Sequence, residues 1–258
     1  MLYLFYLSLG ILPSLIWLIF YLRKDVHPEP NSMVIRVFFW GVLMGPAAII
    51  IQSFINLLLQ FKFNFWNFLE INFTNPNAPY YLLHLLSLPK GDWRFLLTIL
   101  IIAPLPEEYL KYLVVRSNVL KNKNFDEPLD AMLYCIIAAL GFAAIENFLT
   151  IFNAENIETA LGITGLRFVS ATFLHALASG IIGYYLARSL FESHKRKRLL
   201  FIGFLIAIFA HSLYNYFIWI MDGYKIFAWV TAAFLVILAV TVSWQFKKLK
   251  KISSVCEI

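Results

Sequence analysis

The sequence predicts an all-α polytopic membrane protein with about seven transmembrane helices. Three observations predict this class: an apolar composition, a series of apolar runs of bilayer length, and an uneven distribution of basic residues along the chain. Of the 258 residues, 61% are hydrophobic and 14% are charged, and the mean hydropathy is +0.74. A soluble domain carries about 25% charged and about 45–50% apolar residues. One soluble core could not bury this apolar surplus.

The apolar runs give the positions of the helices, because about 20 residues cross a bilayer. The predicted spans are 2–22, 33–59, 95–116, 129–151, 165–187, 199–221 and 226–246. No polar linker separates two folded units, so we expect residues 1–258 to form a single integral membrane domain. The segment 60–92 is rich in Asn and aromatic residues, and its 80–86 stretch is compatible with a short interfacial helix.

The basic residues indicate the orientation of the helices. With the segments after the first, third, fifth and seventh spans inside, the inner side holds 15 Lys and Arg residues and the outer side holds 5. The inner set is Arg23, Lys24, Arg36, Arg116, Lys121, Lys123, Arg188, Lys195, Arg196, Lys197, Arg198, Lys247, Lys248, Lys250 and Lys251, and the outer set is Lys62, Lys90, Arg94, Arg167 and Lys225. This positive-inside pattern predicts an outer N-terminus and a cytoplasmic C-terminus. The net charge of +6 therefore reflects contact with a lipid bilayer, and we expect no nucleic-acid partner.

Eight polar residues interrupt the central spans. They are Glu107, Glu108 and Lys111 in the third span, Glu146 and Asn147 in the fourth, His175 in the fifth, and His211 and Asn215 in the sixth. Facing lipid, the four charged residues would together cost on the order of 10 kcal/mol. They are therefore expected to face one another or a wet cavity inside the bundle.

Helical geometry limits how these groups can meet. Glu107 or Glu108 can pair with Lys111 one turn away, and the two glutamates point about 100° apart. His211 and Asn215 lie on one helix face. At about 1.5 Å per residue, both His175 and His211 lie roughly 12–15 Å below the outer surface. These depths are compatible with one site in the outer half of the membrane.

Each polar residue also has a purely structural interpretation. A glutamate paired with Lys111 can be a buried ion pair that fixes helix register. Asn147 and Asn215 can be interhelical hydrogen-bonding groups. Arg167, at the outer end of the fifth span, is expected to anchor the membrane interface. The combination of all these groups on four successive spans favours chemistry over structure alone.

The combination resembles the PrsW family of membrane proteases, which is related to the CAAX prenyl protease and bacteriocin-processing superfamily. The matching motifs, between residues 104 and 215, are Glu107-Glu108-x-x-Lys111, Asp130 followed by Gly141-Phe142-Ala143-x-x-Glu146-Asn147, Arg167 with His175, and His211-x-x-x-Asn215. They define a family-like core of about 95–221, within the third to sixth spans. The first, second and seventh spans add no diagnostic residue.

The resemblance implies an endopeptidase in a bacterial plasma membrane that cuts a single-span membrane protein, such as an anti-sigma factor, near its extracytoplasmic side. It implies that Glu107 activates water with help from His175, and that His211 and Asn215 hold the oxyanion. Glu108 and Lys111 would orient and charge-balance the site, with Glu146 and Asn147 in support.

Three points remain open at the level of the sequence. Two histidines and a glutamate, His175, His211 and Glu107, match the count of a catalytic zinc site. The His-Glu-x-x-His motif is missing, so we favour a metal-free glutamate mechanism with zinc as the alternative. A proton-coupled transporter also carries carboxylates and histidines within its helices. A non-catalytic membrane binding protein of the same fold is the third possibility.

Overall fold

The fold is a bundle of helices. The structure is a computed structural model that describes residues 2–25, 27–59, 93–122, 125–152, 154–221 and 223–253, and these contain helices and no strand. The α-helices are α1 (Leu2–Leu22), α2 (Asn31–Leu59), α3 (Trp93–Leu97), α4 (Pro104–Asn118), α5 (Pro128–Phe152), α6 (Ile157–Val169), α7 (Ala171–Phe191), α8 (Arg196–Met221) and α9 (Phe227–Ser253). The expected interfacial helix at 80–86 lies outside the described residues.

The prediction of an all-α polytopic membrane protein is confirmed. Six segments among the described residues are long and apolar enough to cross a membrane: Leu4–Leu22, Asn31–Leu58, Pro128–Phe152, Ile157–Phe191, Ser193–Met221 and Phe227–Ile252. They correspond to six of the seven predicted spans. The orientation of the termini remains a prediction.

The third predicted span is interrupted. A π-helical turn, Thr98–Ile102, follows α3, and α4 begins at Pro104. Proline lacks an N–H, so Pro104 and Pro106 cannot continue the hydrogen-bond ladder of the preceding turn.

The fifth predicted span is also broken, at Ser170, where the backbone leaves the helical region (φ −122°, ψ −87°). The Ser170 hydroxyl donates to the Leu166 carbonyl at 2.7 Å, a contact known to bend helices.

Helix α5 is the centre of the bundle. Every residue from Pro128 to Ala144 is buried, and α5 packs against α7, α1 and α2. Two glycines permit this packing: a Cβ at Gly141 would lie 2.0 Å from the Phe38 carbonyl oxygen of α2, and one at Gly183 of α7 would lie 2.5 Å from Met132 Cα. The approach at Gly183 brings α5 and α7, which carry Glu146 and His175, into direct contact.

The N-terminal end of α5, opposite the end that carries Glu146, holds a cluster of polar side chains. The Asp130 carboxylate accepts from the backbone N–H groups of Asp126 and Glu127 at 3.1 and 2.8 Å and so stabilises the start of α5. The Tyr134 hydroxyl donates to Glu29 at 2.5 Å. Burial raises the pKa of Glu29, and the bond from Tyr134 partly offsets that rise. Asp130, part of the motif series, thus belongs to this end of the molecule and not to the histidine cluster.

Candidate active site

The π-helical turn that precedes α4 accepts hydrogen bonds from two side chains of α8. The Asn215 side-chain amide donates to the Ile99 carbonyl at 3.0 Å, and the Ser212 hydroxyl donates to the Leu100 carbonyl. Both acceptors lie in the π-helical turn. Irregular backbone at membrane depth persists only where its polar groups are satisfied inside the protein. Asn215 is therefore engaged in holding this turn, which differs from its expected role as an oxyanion donor.

Glu108 is the most connected group of the site. Its side chain is fully buried, and it accepts from Lys111 Nζ at 2.7 Å, Ser179 Oγ at 2.9 Å and His211 Nδ1 at 2.9 Å. These donors come from α4, α7 and α8. Of the two glutamates that spacing allowed as partners of Lys111, the structure selects Glu108. Ser179, which is not among the eight predicted polar residues, is one of the partners.

Lys111 links Glu108 to the first histidine. Its side chain is 1% exposed, and its ammonium lies 2.8 Å from His175 Nδ1 and over the Phe142 ring, 4.5 Å from the centroid. An ammonium has no lone pair, so His175 Nδ1 must be the acceptor. The neutral ring then carries its proton on Nε2, which donates to Glu146 Oε2 at 2.6 Å.

The two histidines meet edge to face. Their ring centroids are 5.1 Å apart. His211 donates from Nδ1 to Glu108, so its Nε2 points toward Glu107, whose Oε2 lies 3.8 Å away. The expected convergence of His175 and His211 is therefore what the structure shows.

Only one of the two carboxylate oxygens of Glu107 has a hydrogen-bond partner. Gln52 of α2 donates to Glu107 Oε1 at 3.0 Å. The second carboxylate oxygen, Oε2, is buried and has no hydrogen-bond partner. An unsatisfied buried carboxylate oxygen is costly and marks a place where a ligand or water is needed. Gln52 lies in a span in which we saw no diagnostic residue, although a polar side chain in an apolar run was a readable signal.

Glu146 is part of a hydrogen-bonded network with Arg167 and Asn147. The Arg167 guanidinium lies 3.0 Å from Glu146 Oε1, and its Nε donates to Asn147 Oδ1 at 2.5 Å. Asn147 in turn donates to Thr172 Oγ1 at 2.9 Å. Arg167, which was expected to anchor the membrane interface, pairs here with the site residues Glu146 and Asn147. The Ser170 break turns α6 so that Arg167 reaches them.

Three side chains are close enough together to hold one metal ion. Glu107, His175 and His211 each offer one ligand atom, and these three atoms lie within 4.8 Å of one another. All three residues belong to the predicted site, and α4, α7 and α8 contribute one each. Glu108, Lys111, Glu146 and Asn147 lie around these three, so seven of the eight predicted residues belong to one cluster. The eighth, Asn215, contacts the neighbouring π-helical turn.

Comparison with known proteins identifies the family. Residues 29–242 match a family described as "PrsW family intramembrane metalloprotease". The match extends well beyond the expected core of 95–221. Protease PrsW of Clostridioides difficile is 30% identical over 249 residues, covering 94% of this chain and 89% of the relative.

Two further relatives carry the same name. Protease PrsW of Geobacillus kaustophilus is 30% identical over 211 residues, 81% of this chain and 78% of the relative. Protease PrsW of Bacillus subtilis is 27% identical over 232 residues, 86% of this chain and 90% of the relative. No solved structure matches the chain. The chain belongs to the PrsW family of intramembrane proteases.

Proposed function

We propose that this protease hydrolyses a peptide bond of a single-span membrane protein with a water molecule activated by Glu107. The observation that carries the proposal is the Glu107 carboxylate, which is buried, fixed by Gln52 through one oxygen and open at the other. A carboxylate in this state can accept a proton from a water molecule within hydrogen-bond reach. Among the described residues, neither site histidine accepts a hydrogen bond from a serine or cysteine side chain, so we propose no covalent nucleophile.

The proton transfers follow from the geometry. Glu107 takes a proton from water as the oxygen attacks the peptide carbonyl carbon, and the carbon–nitrogen bond then breaks. Glu107 returns that proton to the leaving amine, so the site is restored. His211 Nε2, 3.8 Å from Glu107 Oε2, is placed to donate to the oxyanion when it carries a proton.

Lys111 supplies the fixed positive charge of the site. Its ammonium contacts Glu108 and His175 at 2.7 and 2.8 Å in a water-excluded setting. A cation held beside the reacting group stabilises the negative charge of a tetrahedral intermediate. Glu108 keeps Lys111 and His211 in place. Asn215 acts in this proposal as a positioning residue, through the π-helical turn.

The family description implies a metal ion, and Glu107, His175 and His211 are the residues that would hold it. Two imidazoles and a carboxylate are the ligand set of catalytic zinc sites. Each histidine also has one nitrogen on a carboxylate, as metal ligands usually do. A bound zinc would lower the pKa of its water. Against this, His175 Nδ1, the nitrogen that Glu146 leaves for a metal, accepts from Lys111. We therefore favour the metal-free mechanism.

The side of the membrane near which the substrate is cut follows from the orientation that the basic residues predict. With the N-terminus outside and the C-terminus in the cytoplasm, His211 lies about 15 Å from the outer end of α8, which ends at Met221, by 1.5 Å per residue. The site then opens toward the outer half of the membrane. By resemblance to the family, we propose an anti-sigma-factor-like substrate that is cut near its extracytoplasmic side.

Co-expression tests this function. Candidate single-span proteins carry one tag at the outer end and another at the inner end, and immunoblotting with mass analysis locates the cut. We expect fragments that map the cut to the outer half of the substrate's span, and none with His211→Ala. Equal fragments with His211→Ala would remove His211 from the proposed site, and a cut in the inner half would overturn the proposed orientation.

A further inference from the structure

A groove on the flank of the bundle lies away from the active site. It runs between α1 and α9 and is closed at one end by the junction of α6 and α7, with a cavity of about 520 Å³. Aromatic side chains form its walls, among them Trp17, Phe168 and Phe173. A neighbouring groove of about 720 Å³ along α9 shares Phe173, Ala239, Ser243 and Lys247 with it. We call the first cavity the flank groove.

The flank groove is apolar along its length and positively charged at one end. Lys24, two residues after the end of α1, and Lys247 and Lys250 of α9 lie at that end, and no described residue that lines the cavity is acidic. Tyr21 and Phe246 stack just before the lysines, with centroids 5.9 Å apart. All three lysines belong to the side that the positive-inside pattern places in the cytoplasm.

The dimensions match one leaflet of a bilayer. From Ala239 to Lys250 the α9 wall rises about 16 Å at 1.5 Å per residue. The hydrocarbon of one leaflet is about 15 Å deep, half of the roughly 30 Å core. A molecule with an apolar chain of that reach and an anionic head would fill the groove and meet the lysines.

We propose that the flank groove binds an anionic phospholipid of the inner leaflet, with its phosphate at Lys24, Lys247 and Lys250. Basic pockets between helices on the cytoplasmic side are suited to anionic head groups. The span of a membrane-protein substrate fits less well, because its own cytoplasmic flank is basic by the same positive-inside rule and the lysines would repel it. Charge complementarity therefore selects the lipid.

The bound lipid would lie against a wall of the active-site scaffold. The Trp17 indole N–H donates to the Phe168 carbonyl at 2.8 Å, and the Trp17 ring stacks on Phe173 at 4.2 Å between centroids. Phe168 follows Arg167, and Phe173 lies two residues before His175. An acyl chain in the groove would brace the Ser170 break between them.

Native mass spectrometry of the purified full chain tests the proposal with phosphatidylglycerol and phosphatidylcholine. We expect preferential retention of phosphatidylglycerol. The triple variant Lys24→Gln/Lys247→Gln/Lys250→Gln should bind it about 100-fold more weakly, by roughly a factor of five per lysine. Arg196→Gln/Lys197→Gln/Arg198→Gln is the matched control, because it removes three exposed charges from the same predicted side outside the groove. Equal losses in the two triple variants, or equal binding of both lipids, would overturn the proposal.

A second variant tests the apolar part. Ser243 is exposed and lines the groove, so Ser243→Trp should obstruct the acyl chain without altering charge or core packing. We expect weaker phosphatidylglycerol binding, and unchanged binding would contradict a lipid seated in the groove. Soluble glycerophosphate at the same ionic strength should not displace the lipid. Displacement would reduce the site to an anion site and overturn the proposal.

Discussion

Replacement of Glu107 by glutamine is expected to abolish cleavage and leave the fold intact. The amide can still accept the hydrogen bond from Gln52, which reaches Glu107 at 3.0 Å, so the local structure has no reason to change. It cannot take a proton from water. Loss of a general base lowers turnover by about 10²- to 10⁴-fold. The measurement is the rate of fragment formation by purified protein, with helix content and the thermal midpoint recorded in parallel.

The matched control for this variant is Glu155→Gln. Glu155 is an exposed residue between α5 and α6, so the same chemical change there should leave both activity and stability unaltered. A Glu107→Gln protein that cleaves at the wild-type rate would remove Glu107 from the role of base. His175 and Glu146 would then be the next acid–base pair to examine.

Loss of one member of the Glu108–Lys111 pair is expected to destabilise the fold severely. Both side chains are at most 1% exposed and lie 2.7 Å apart. Removing one partner of a buried pair leaves an uncompensated charge and costs about 3–5 kcal/mol. Lys111→Met and Glu108→Gln should each lower the free energy of unfolding by this amount, measured by denaturation in detergent.

The double variant Glu108→Gln/Lys111→Met separates scaffold from chemistry. With no charge left unpaired, most of the lost stability should return, since buried ion pairs are often replaceable by neutral groups. Cleavage should not return, because the fixed cation is gone. Single variants as stable as the wild type would contradict a buried pair. A double variant with wild-type activity would reduce Lys111 to a structural role.

The membrane fold was predictable because bilayer thickness imposes a length on apolar runs. Most site residues were predictable for a related reason: a charge inside a span is costly enough to demand a partner. Thus Glu107, Glu108, Lys111, Glu146, His175 and His211 were recognisable before their contacts were known. Which glutamate pairs with Lys111 depends on the rotation of α4, and spacing allowed both.

The remaining features depend on tertiary packing. Arg167 lies at a span end, where an interface anchor is the ordinary interpretation, and only the backbone turn at Ser170 directs it to Glu146. The amide of Asn215 bonds to Ile99 because α8 faces an interrupted helix. Proline is known to interrupt a helix, but the presence of Pro104 and Pro106 does not say which helix satisfies the freed carbonyls. Gln52 was readable as a polar residue in an apolar span, but its bond to Glu107 depends on the packing of α2 against α4.

The most direct test of the central claim is the metal dependence of purified protein. The claim is that Glu107 activates water while Lys111 provides the positive charge, so no metal is needed. After exhaustive chelation, cleavage should continue at its initial rate, and elemental analysis should find no stoichiometric metal. Loss of activity with the chelator, restored by added zinc alone, would contradict the claim and make Glu107, His175 and His211 metal ligands.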